Sequence, residues 1–352
     1  MTTPVTDITN AFRTQSEWCT ALGSPFTAHL MTVLADDIER GGPSLAVVGD
    51  FTGDPIAAAL PLRFAAGLAT LVQTGQEEDL EAYYPPNHKN YKSPNFIRIA
   101  TNVIERHHGF LNAFTKLAVQ TNEVARSACL LGGFLEISRA TSMPLALLEL
   151  GASAGLNLAW DQYHYRLGTA PWGPDTAAVQ LKPEWSGGLP PLTETPRIVS
   201  RQGCDLRPID LADPGFQRQA EAYIWPDQPE RLCRFRQAAD VIRHLGIVVD
   251  KQDAGTWLAH KLQERADTTA RVIFHSIFWQ YLPEDTKAEI TDLITVAGQK
   301  ATSASPVAWL RMEPEGAIGL PFINLTLWPG GQTFRLGQCH PHGRFVTWQG
   351  IG

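Results

Sequence analysis

The chain has 352 residues, of which 44% are hydrophobic and 18% charged, a composition typical of globular proteins. Its 36 aspartates and glutamates outnumber the 29 lysines and arginines, and no dense basic stripe is present, so we do not expect nucleic acid as a partner. The five cysteines are widely spaced and form no C-x-x-C pair, which predicts reduced thiols and no structural metal site.

The first part of the chain, residues 1–141, is predicted to be an all-helical domain. Its opening residues, MTTPVTDITNAF, lack the basic and apolar regions of a signal peptide. No apolar run reaches membrane-spanning length, so we expect a cytoplasmic protein without a membrane partner. Helix starts are indicated at Asp54-Pro55 and Ser93-Pro94, where a capping side chain precedes a proline. A third helix is predicted in QTNEVARSACLLGGFLEISRA.

Residues 142–352 follow a different pattern, in which short apolar runs alternate with amphipathic ones. LALLEL (Leu145–Leu150) predicts a buried strand, GASAG a turn and AGLNLAWDQY a helix. Further strands are predicted in GCDLRPIDL, IVVDKQDA, ARVIFHSIFWQYL and PVAWLRMEPE, and further helices in PERLCRFRQAADVIRHL and EDTKAEITDLITVAGQKA. This alternation predicts an α/β fold with a doubly wound, mainly parallel sheet.

The end of the chain breaks that alternation. FINLTLW, QTFRLGQCH and RFVTW predict consecutive antiparallel strands, separated by turns rich in proline and glycine. Earlier, residues 168–196 are rich in Pro, Gly and Trp and predict a long insertion loop. We therefore expect two domains: a helical cap of residues 1–141 and an α/β domain of residues 142–352.

The turn GASAG, residues 151–155, fits two chemistries. G-x-S-x-G is the nucleophile elbow of a serine hydrolase, whereas a Gly-rich loop after a strand can cradle a nucleotide-like cofactor. A hydrolase elbow follows several strands of its sheet, but the residues before Leu145 are predicted to be helical. Asp285 with His340 or His342 would have to complete a hydrolase triad. The cofactor interpretation is therefore favoured.

The stretch LLELGASAGLN resembles motif I of the class I S-adenosylmethionine-dependent methyltransferases, an acid followed by G-x-G-x-G at the end of the first strand. Ser153 replaces the middle glycine. The terminal antiparallel strands resemble the end of that fold's sheet, and the resemblance covers about residues 142–352. It implies a Rossmann-like, methyltransferase-type sheet and S-adenosylmethionine as cofactor. With TNEVARSACLL and FHSIFWQYL, the whole chain resembles a bacterial family catalogued as a domain of unknown function.

The cofactor expected from this resemblance is S-adenosylmethionine rather than NAD. A dinucleotide needs G-x-G-x-x-G, and Leu156 stands at the third glycine position. Glu149 is the candidate partner of the cofactor's ammonium group. The resemblance also implies acids at the ends of the second and third strands; Asp205 fits only if residues 168–196 are an insertion, and Asp253 fits more simply. The expected cofactor-binding residues are Glu149, Gly151, Ser153, Gly155, Asn157, Asp205 and Asp253.

Polar and aromatic residues follow the strand predicted in ARVIFHS. His275 is a candidate general base, because an imidazole titrates near neutral pH, and Ser276 and Glu313 stand at the same rim. Trp279 and Tyr281 are candidate substrate contacts. The alternative is that His275 is a buried, hydrogen-bonded histidine, that the two aromatic residues only pack, and that Glu313 caps a loop.

Three residues in the first turns of the third predicted helix are also candidate substrate contacts. Asn122, Glu123 and Arg126 form either an ordinary surface ion pair or a polar lid over the cofactor and substrate. The leading expectation is methyl transfer from S-adenosylmethionine to a small molecule. The alternatives are a non-catalytic regulatory protein that binds the cofactor or a nucleotide, favoured by the altered motif I and the lack of an N/D-P-P-Y segment, and thirdly a serine hydrolase.

Overall fold

The computed structural model describes residues 2–87, 89–117, 119, 122–264, 268–316 and 319–351. The chain divides into unit 1, residues 1–121 with 213–233, and unit 2, residues 122–212 with 234–352. The first unit thus ends before the domain boundary expected at 141/142. The reason is that the intervening helix packs on the sheet of unit 2, where the rings of Phe134 and Phe274 are 5.1 Å apart.

Unit 1 is helical wherever it is described. Its helices are α1 Val5–Ala21, α2 Pro25–Glu39, α3 Pro43–Val48, α4 Leu60–Gln73, α5 Glu78–Glu81, α6 Pro94–Arg106, α7 His108–Thr115 and the later helix α9 Pro214–Ala222. Their apolar faces bury a large core, in which Phe12 meets Phe64 edge-on at 6.0 Å, and a small second cluster around Cys19, Ala28 and Trp225. Burial of these aliphatic and aromatic side chains stabilises this unit.

The two helix starts predicted in unit 1 have different outcomes. Ser93 caps α6 as predicted, since its hydroxyl accepts the Phe96 N–H at 3.4 Å. Asp54 instead forms a turn by accepting the Ile56 N–H at 2.8 Å, and α4 begins only at Leu60. A short polar side chain before proline therefore stabilised a turn here rather than a helix.

Residues 213–233 join unit 1 through specific contacts. The carboxylate of Asp227 accepts the Phe26 N–H at 2.8 Å and the hydroxyl of Ser24, which holds the start of α2. The ring of Tyr223 lies 6.1 Å from that of Phe114. These partners are distant in sequence, so the sequence pattern did not reveal them.

Unit 2 carries the strands and the remaining helices. The strands are β1 Leu145–Leu150, β2 His164–Leu167, β3 Ala170–Trp172, β4 Gln180–Leu181, β5 Glu184–Gly187, β6 Ile198–Asp205, β7 Asp250–Lys251, β8 Ala270–Ser276, β9 Val307–Pro314, β10 Pro321–Trp328, β11 Gln332–Cys339 and β12 Phe345–Trp348. The helices are α8 Arg126–Thr141, α10 Pro229–Leu245, which begins in unit 1, α11 Ala254–Gln263 and α12 Glu284–Gln299. The strand predicted at Leu145–Leu150 is confirmed.

The large sheet has the order β5-β12-β11-β10-β9-β8-β1-β6-β7. The five strands from β9 to β7 are parallel, and β5 is parallel to β12. The pairs β9-β10, β10-β11 and β11-β12 are antiparallel. The expected α/β fold with a large, mostly parallel sheet and antiparallel C-terminal strands is therefore confirmed.

The connection from β1 to β6 differs from the prediction. The helix expected after Gly155 is a short 3-10 helix, Leu156–Gln162, with non-helical backbone at Ala159. The Tyr163 hydroxyl donates to the Leu156 carbonyl and the Tyr165 hydroxyl to the Trp160 carbonyl, each at 2.6 Å. In an α-helix these carbonyls would accept backbone N–H groups of the same helix. The insertion at 168–196 also forms strands, since β3 and β4 flank β2 and β5 joins the large sheet.

Different helices cover the two faces of the large sheet. On one face, α8 lies so close that a Cβ atom at Gly133 would be 2.3 Å from Leu310 Cδ1. On the other, α11 and α12 bury Leu148, Ile273 and Trp309. Because successive side chains of a strand point to opposite faces, Glu149 belongs to the α8 face and His275 to the α11/α12 face.

Candidate functional site

The strand order of unit 2 reverses between β1 and β8. After β1 the chain adds β6 and β7 on one side, and it then adds β8 and β9 on the other. Ligands of open α/β sheets bind outside the carboxyl ends of the strands at such a reversal. The candidate site therefore lies where two loops leave these strands: residues 151–155 after β1 and residues 277–281 after β8.

The first of these loops turns sharply. Gly151 and Gly155 have φ angles of 67° and 74°, which glycine adopts readily, and Ser153 has 52°. Asp205, at the end of β6, holds this turn: Oδ2 accepts the Ser153 N–H at 3.0 Å, and Oδ1 accepts the Arg207 N–H at 2.9 Å. The structure thus brings Asp205 to the loop, where its carboxylate stabilises the loop's own backbone.

The space above Gly151 is occupied by an aromatic ring from the second loop. A Cβ atom at Gly151 would lie 2.2 Å from Phe278 Cδ2, so only glycine leaves room for this ring. Gly155 is less crowded, with Val249 Cγ2 at 3.2 Å from the corresponding position. A ligand that approaches Gly151 must therefore displace the Phe278 ring.

Glu149 lies in β1 just before the loop and is 2% exposed. Burial raises the pKa of its carboxyl well above the ordinary value; Arg126 and the Asn157 amide oppose this rise, and Asp205 adds to it. Within the described part of the chain, Glu149 Oε2 and Asn157 Nδ2 are buried without a partner of regular hydrogen-bond geometry. Such atoms are rare and costly, so a bound polar group would be stabilised here.

Asn122 ahead of α8 and Arg126 at its start bind backbone groups around the candidate site. Asn122 Oδ1 accepts the Leu156 N–H at 2.8 Å. Arg126, which is buried, donates from Nε to the Pro341 carbonyl at 3.0 Å and from Nη1 to the Ser276 carbonyl at 3.2 Å. Two of the three substrate candidates in this segment therefore bind backbone groups of the protein, and Arg126 also interacts electrostatically with Glu149.

Glu123, the third of them, binds other groups. Its Oε1 accepts the Ala125 N–H at 3.1 Å and lies 3.8 Å from Nη2 of Arg234. The side chain thus helps to start α8 and to tie it to α10. This placement favours a structural contribution over contact with a substrate.

His275 is fully buried, and both its ring nitrogens have partners. Nε2 is 3.1 Å from the indole Nε1 of Trp309, which can only donate, so Nε2 accepts and carries no proton. The proton lies on Nδ1, which donates to Glu313 at 2.6 Å. Because both ring nitrogens are bonded to protein groups, this arrangement does not support His275 as a general base. It agrees with the alternative of a buried, hydrogen-bonded histidine.

Glu313 fixes the turn that follows β8. Its Oε1 and Oε2 are 3.0 and 3.2 Å from the backbone nitrogen of Phe278, which donates to the carboxylate. The preceding residue, Ile277, has a φ of 50°, in the left-handed region that branched residues rarely adopt. Glu313 is therefore a loop cap that holds the Phe278 ring on Gly151.

The other candidates after β8 and β7 have separate positions. Trp279 stacks on His275 with ring centres 5.0 Å apart, while Tyr281 is 68% exposed. Ser276 contributes its carbonyl to Arg126. Asp253 is exposed at the edge reached by β6 and β7, and its Oδ1 caps α11 by accepting the Thr256 N–H at 3.0 Å.

Ser153 lacks the setting of a nucleophile elbow. It is 3% exposed, and its carbonyl accepts the Ile209 N–H at 3.1 Å. The strand before it, β1, is the first strand in the described part of the chain. A hydrolase elbow requires several earlier strands, so this topology agrees with the argument made from the sequence.

A family model described as "Uncharacterized protein conserved in bacteria (DUF2332)" matches residues 9–348. This chain belongs to that family. No curated protein matches the DUF2332 chain. None of its described helices is long and apolar enough to cross a membrane.

Three residues of this DUF2332 protein were missed by sequence reasoning. Phe278 covers Gly151, Trp309 fixes the proton of His275, and Arg311 is largely desolvated on the same sheet face. The alternation of β9 could have placed Trp309, Arg311 and Glu313 on one face. Nothing in the sequence, however, pairs that face with the loop after β8.

Proposed function

We propose that unit 2 binds S-adenosylmethionine at the reversal between β1 and β8 and transfers its methyl group to a small molecule. The observation that carries this proposal is the buried carboxylate of Glu149, with Oε2 lacking a partner in the described chain. A buried carboxylate oxygen without a partner is costly, and a ligand cation would compensate it. The motif around Glu149 is the one that resembles motif I of the methyltransferases.

The residues present fit the amino-acid end of this cofactor. Glu149 would hold the ammonium group, and Nδ2 of Asn157, whose Oδ1 already accepts the Ser127 hydroxyl, would donate to the carboxylate of the cofactor. The loop is followed by a 3-10 helix instead of an α-helix, and the first amide of that helix, the Leu156 N–H, already donates to Asn122. When bound, S-adenosylmethionine supplies an activated methyl group on a sulfonium. The protein would orient and desolvate that group, and the Phe278 ring must move aside for entry.

A second candidate is a protein that binds the cofactor without catalysis. It is favoured by the contacts of His275, whose two nitrogens bind Glu313 and Trp309. With that residue engaged, deprotonation of an acceptor has no evident base among the predicted catalytic residues. Fold similarity alone does not establish activity, so binding and turnover require separate measurements.

Calorimetric titration with S-adenosylmethionine and S-adenosylhomocysteine tests the proposal. We expect saturable binding to the wild type and at least tenfold weaker binding of S-adenosylmethionine to Glu149→Gln. Glu136→Gln is the matched control, because Glu136 is also a buried acid of unit 2 but pairs with Arg139. Equal affinity in the wild type and Glu149→Gln, or no binding to the wild type, would contradict the proposal.

Turnover separates the remaining candidates. Conversion of S-adenosylmethionine to S-adenosylhomocysteine with an acceptor identifies a transferase, and binding without conversion across an acceptor panel identifies the non-catalytic protein. A hydrolase would instead be labelled at Ser153 by a fluorophosphonate, and Ser153→Ala would abolish the label. We expect no label, since Ser153 is buried within the loop.

A further inference from the structure

A row of polar side chains crosses the large sheet on the face opposite Glu149. His275, Arg311, Asn324 and Arg335 are paired across β8, β9, β10 and β11. Residues directly opposite each other on neighbouring strands point to the same face, and neighbouring strands lie about 4.8 Å apart. Two arginines are therefore separated by one strand, with an amide side chain between them.

Arg311 is the unusual member of this row. Its Nη2 donates to Thr326 Oγ1 at 2.9 Å, and its guanidinium lies 4.0 Å above the ring of Trp309. Its Nε is buried without a partner, and no carboxylate forms an ion pair with it among the described residues. Burial lowers the pKa of this guanidinium to about 10, so the cation is desolvated without an acid to compensate it.

The two acids that follow Arg311 along the chain are bonded to other groups. Glu313, two positions along β9, binds His275 and the backbone of Phe278. Glu315 pairs with Arg335. A cation that is desolvated yet only half-buried differs from the usual structural arginine, which has a bidentate acid partner.

The surroundings of Arg311 add further hydrogen-bonding groups. Thr326 is bonded to Thr333 at 2.8 Å, and Thr333 is exposed. Asn324 is half-buried between the two arginines. Hydroxyl and amide donors beside a guanidinium are the groups that bind carboxylate or phosphate oxygens in proteins.

We propose that Arg311, with Asn324 and Thr333, forms a binding site for an oxyanion group, a carboxylate or a phosphate, of a small-molecule ligand. The site lies on the α11/α12 face, whereas Glu149 lies on the α8 face, so the proposal does not depend on S-adenosylmethionine. The planar guanidinium can bind either oxyanion through two parallel N–H groups. Two classes of anion are therefore the natural probes.

Thermal unfolding with sodium phosphate, sodium malonate and sodium chloride at equal ionic strength tests this site. We expect phosphate or malonate to raise the wild-type Tm above its value in chloride, and the stronger of the two identifies the oxyanion class. Arg311→Met should lose this rise, and Arg311→Lys should bind the effective anion at least tenfold more weakly in calorimetry, because lysine lacks the fork. Arg166→Met, which removes an exposed strand arginine of unit 2, should behave as the wild type.

The same variants test whether Arg311 only stabilises the fold. In chloride alone, Arg311→Met should unfold at or above the wild-type temperature, because it removes a desolvated cation and keeps an unbranched apolar chain. A lower Tm for Arg311→Met in chloride would assign Arg311 to the fold and overturn the proposal. Equal anion effects in the wild type and Arg311→Met, or no effect of either anion on the wild type, would overturn it as well.

Discussion

The Nδ1 atom of His275 lies 2.6 Å from the carboxylate of Glu313, while the indole of Trp309 donates to the opposite nitrogen. These two contacts assign the proton to Nδ1 and leave the Glu313 carboxylate to accept from both His275 and the backbone of Phe278. The pair therefore orders the turn after β8.

We expect Glu313→Gln to lower the free energy of unfolding of unit 2 by about 1–3 kcal/mol. The amide NH2 group that replaces one carboxylate oxygen would face an N–H donor, of His275 or of the Phe278 backbone, in place of an acceptor. Urea denaturation measures the change. Glu315→Gln is the control, because it breaks an exposed pair with Arg335 and should cost less than about 1 kcal/mol. Equal losses in the two variants would show that the buried bonds of Glu313 contribute no more than a surface pair.

The raised pKa of Glu149 predicts a pH-dependent stability. A carboxyl with a higher pKa in the folded protein contributes stability below its unfolded pKa and loses it as pH rises through the folded pKa. Glu149→Gln cannot ionise, so it should gain stability relative to the wild type between pH 5.5 and pH 8.5. Urea midpoints at the two pH values give the difference. A relative loss at pH 8.5 would mean that attraction to Arg126 outweighs burial.

The glycines of α8 predict a steric effect. A Cβ atom at Gly132 would lie 2.3 Å from Trp348 Cη2. We expect Gly132→Ala to destabilise unit 2 by about 1–3 kcal/mol, because overpacking against a rigid ring exceeds the gain in helix propensity. Gly109→Ala in α7, where the added Cβ meets nothing within 4 Å, should be neutral or slightly stabilising. Thermal unfolding of both variants decides whether α8 can move away from the sheet.

The different exposure of the five cysteines predicts selective labelling by a thiol reagent. Cys233 is exposed, and the other four cysteines are buried. Burial raises the pKa of Cys19 to about 11 and also raises the pKa of Cys204 and Cys339. At pH 8 a thiol reagent should therefore modify Cys233 rapidly, and the other thiols only after denaturation. Mass spectrometry of the labelled peptides would reveal any second fast site.

The sequence predicted elements best where one local pattern decided them. The apolar run of β1 and the helix α10, closed by Gly246 with a φ of 65°, are confirmed. The 3-10 helix after Gly155 was missed because tyrosine hydroxyls several residues away bind its carbonyls. Helical periodicity alone cannot show that competition.

For the candidate site, the sequence identified individual residues better than it predicted which of them lie on the same face of the sheet. Asp205 reaches the loop after β1, and Arg126 interacts electrostatically with Glu149. Glu149 and His275 were expected at one site, yet the register pairs Glu149 with Phe274 and so sends His275 to the other face. A shift of one residue reverses every side chain of a strand, and only the paired strands fix that register.

The pairing of β5 with β12 also governs how this protein can be made. Among the described residues, residues 184–187 pair with residues 345–348 and with no other strand, and β1 pairs on one side with residues 270–276. During synthesis the backbone groups at these strand edges therefore stay unpaired until nearly the whole of unit 2 has been made. Non-local pairings of this kind fold slowly and leave edges open to association with other chains. Overproduction should accordingly favour aggregates, and slower synthesis at low temperature should favour the folded chain.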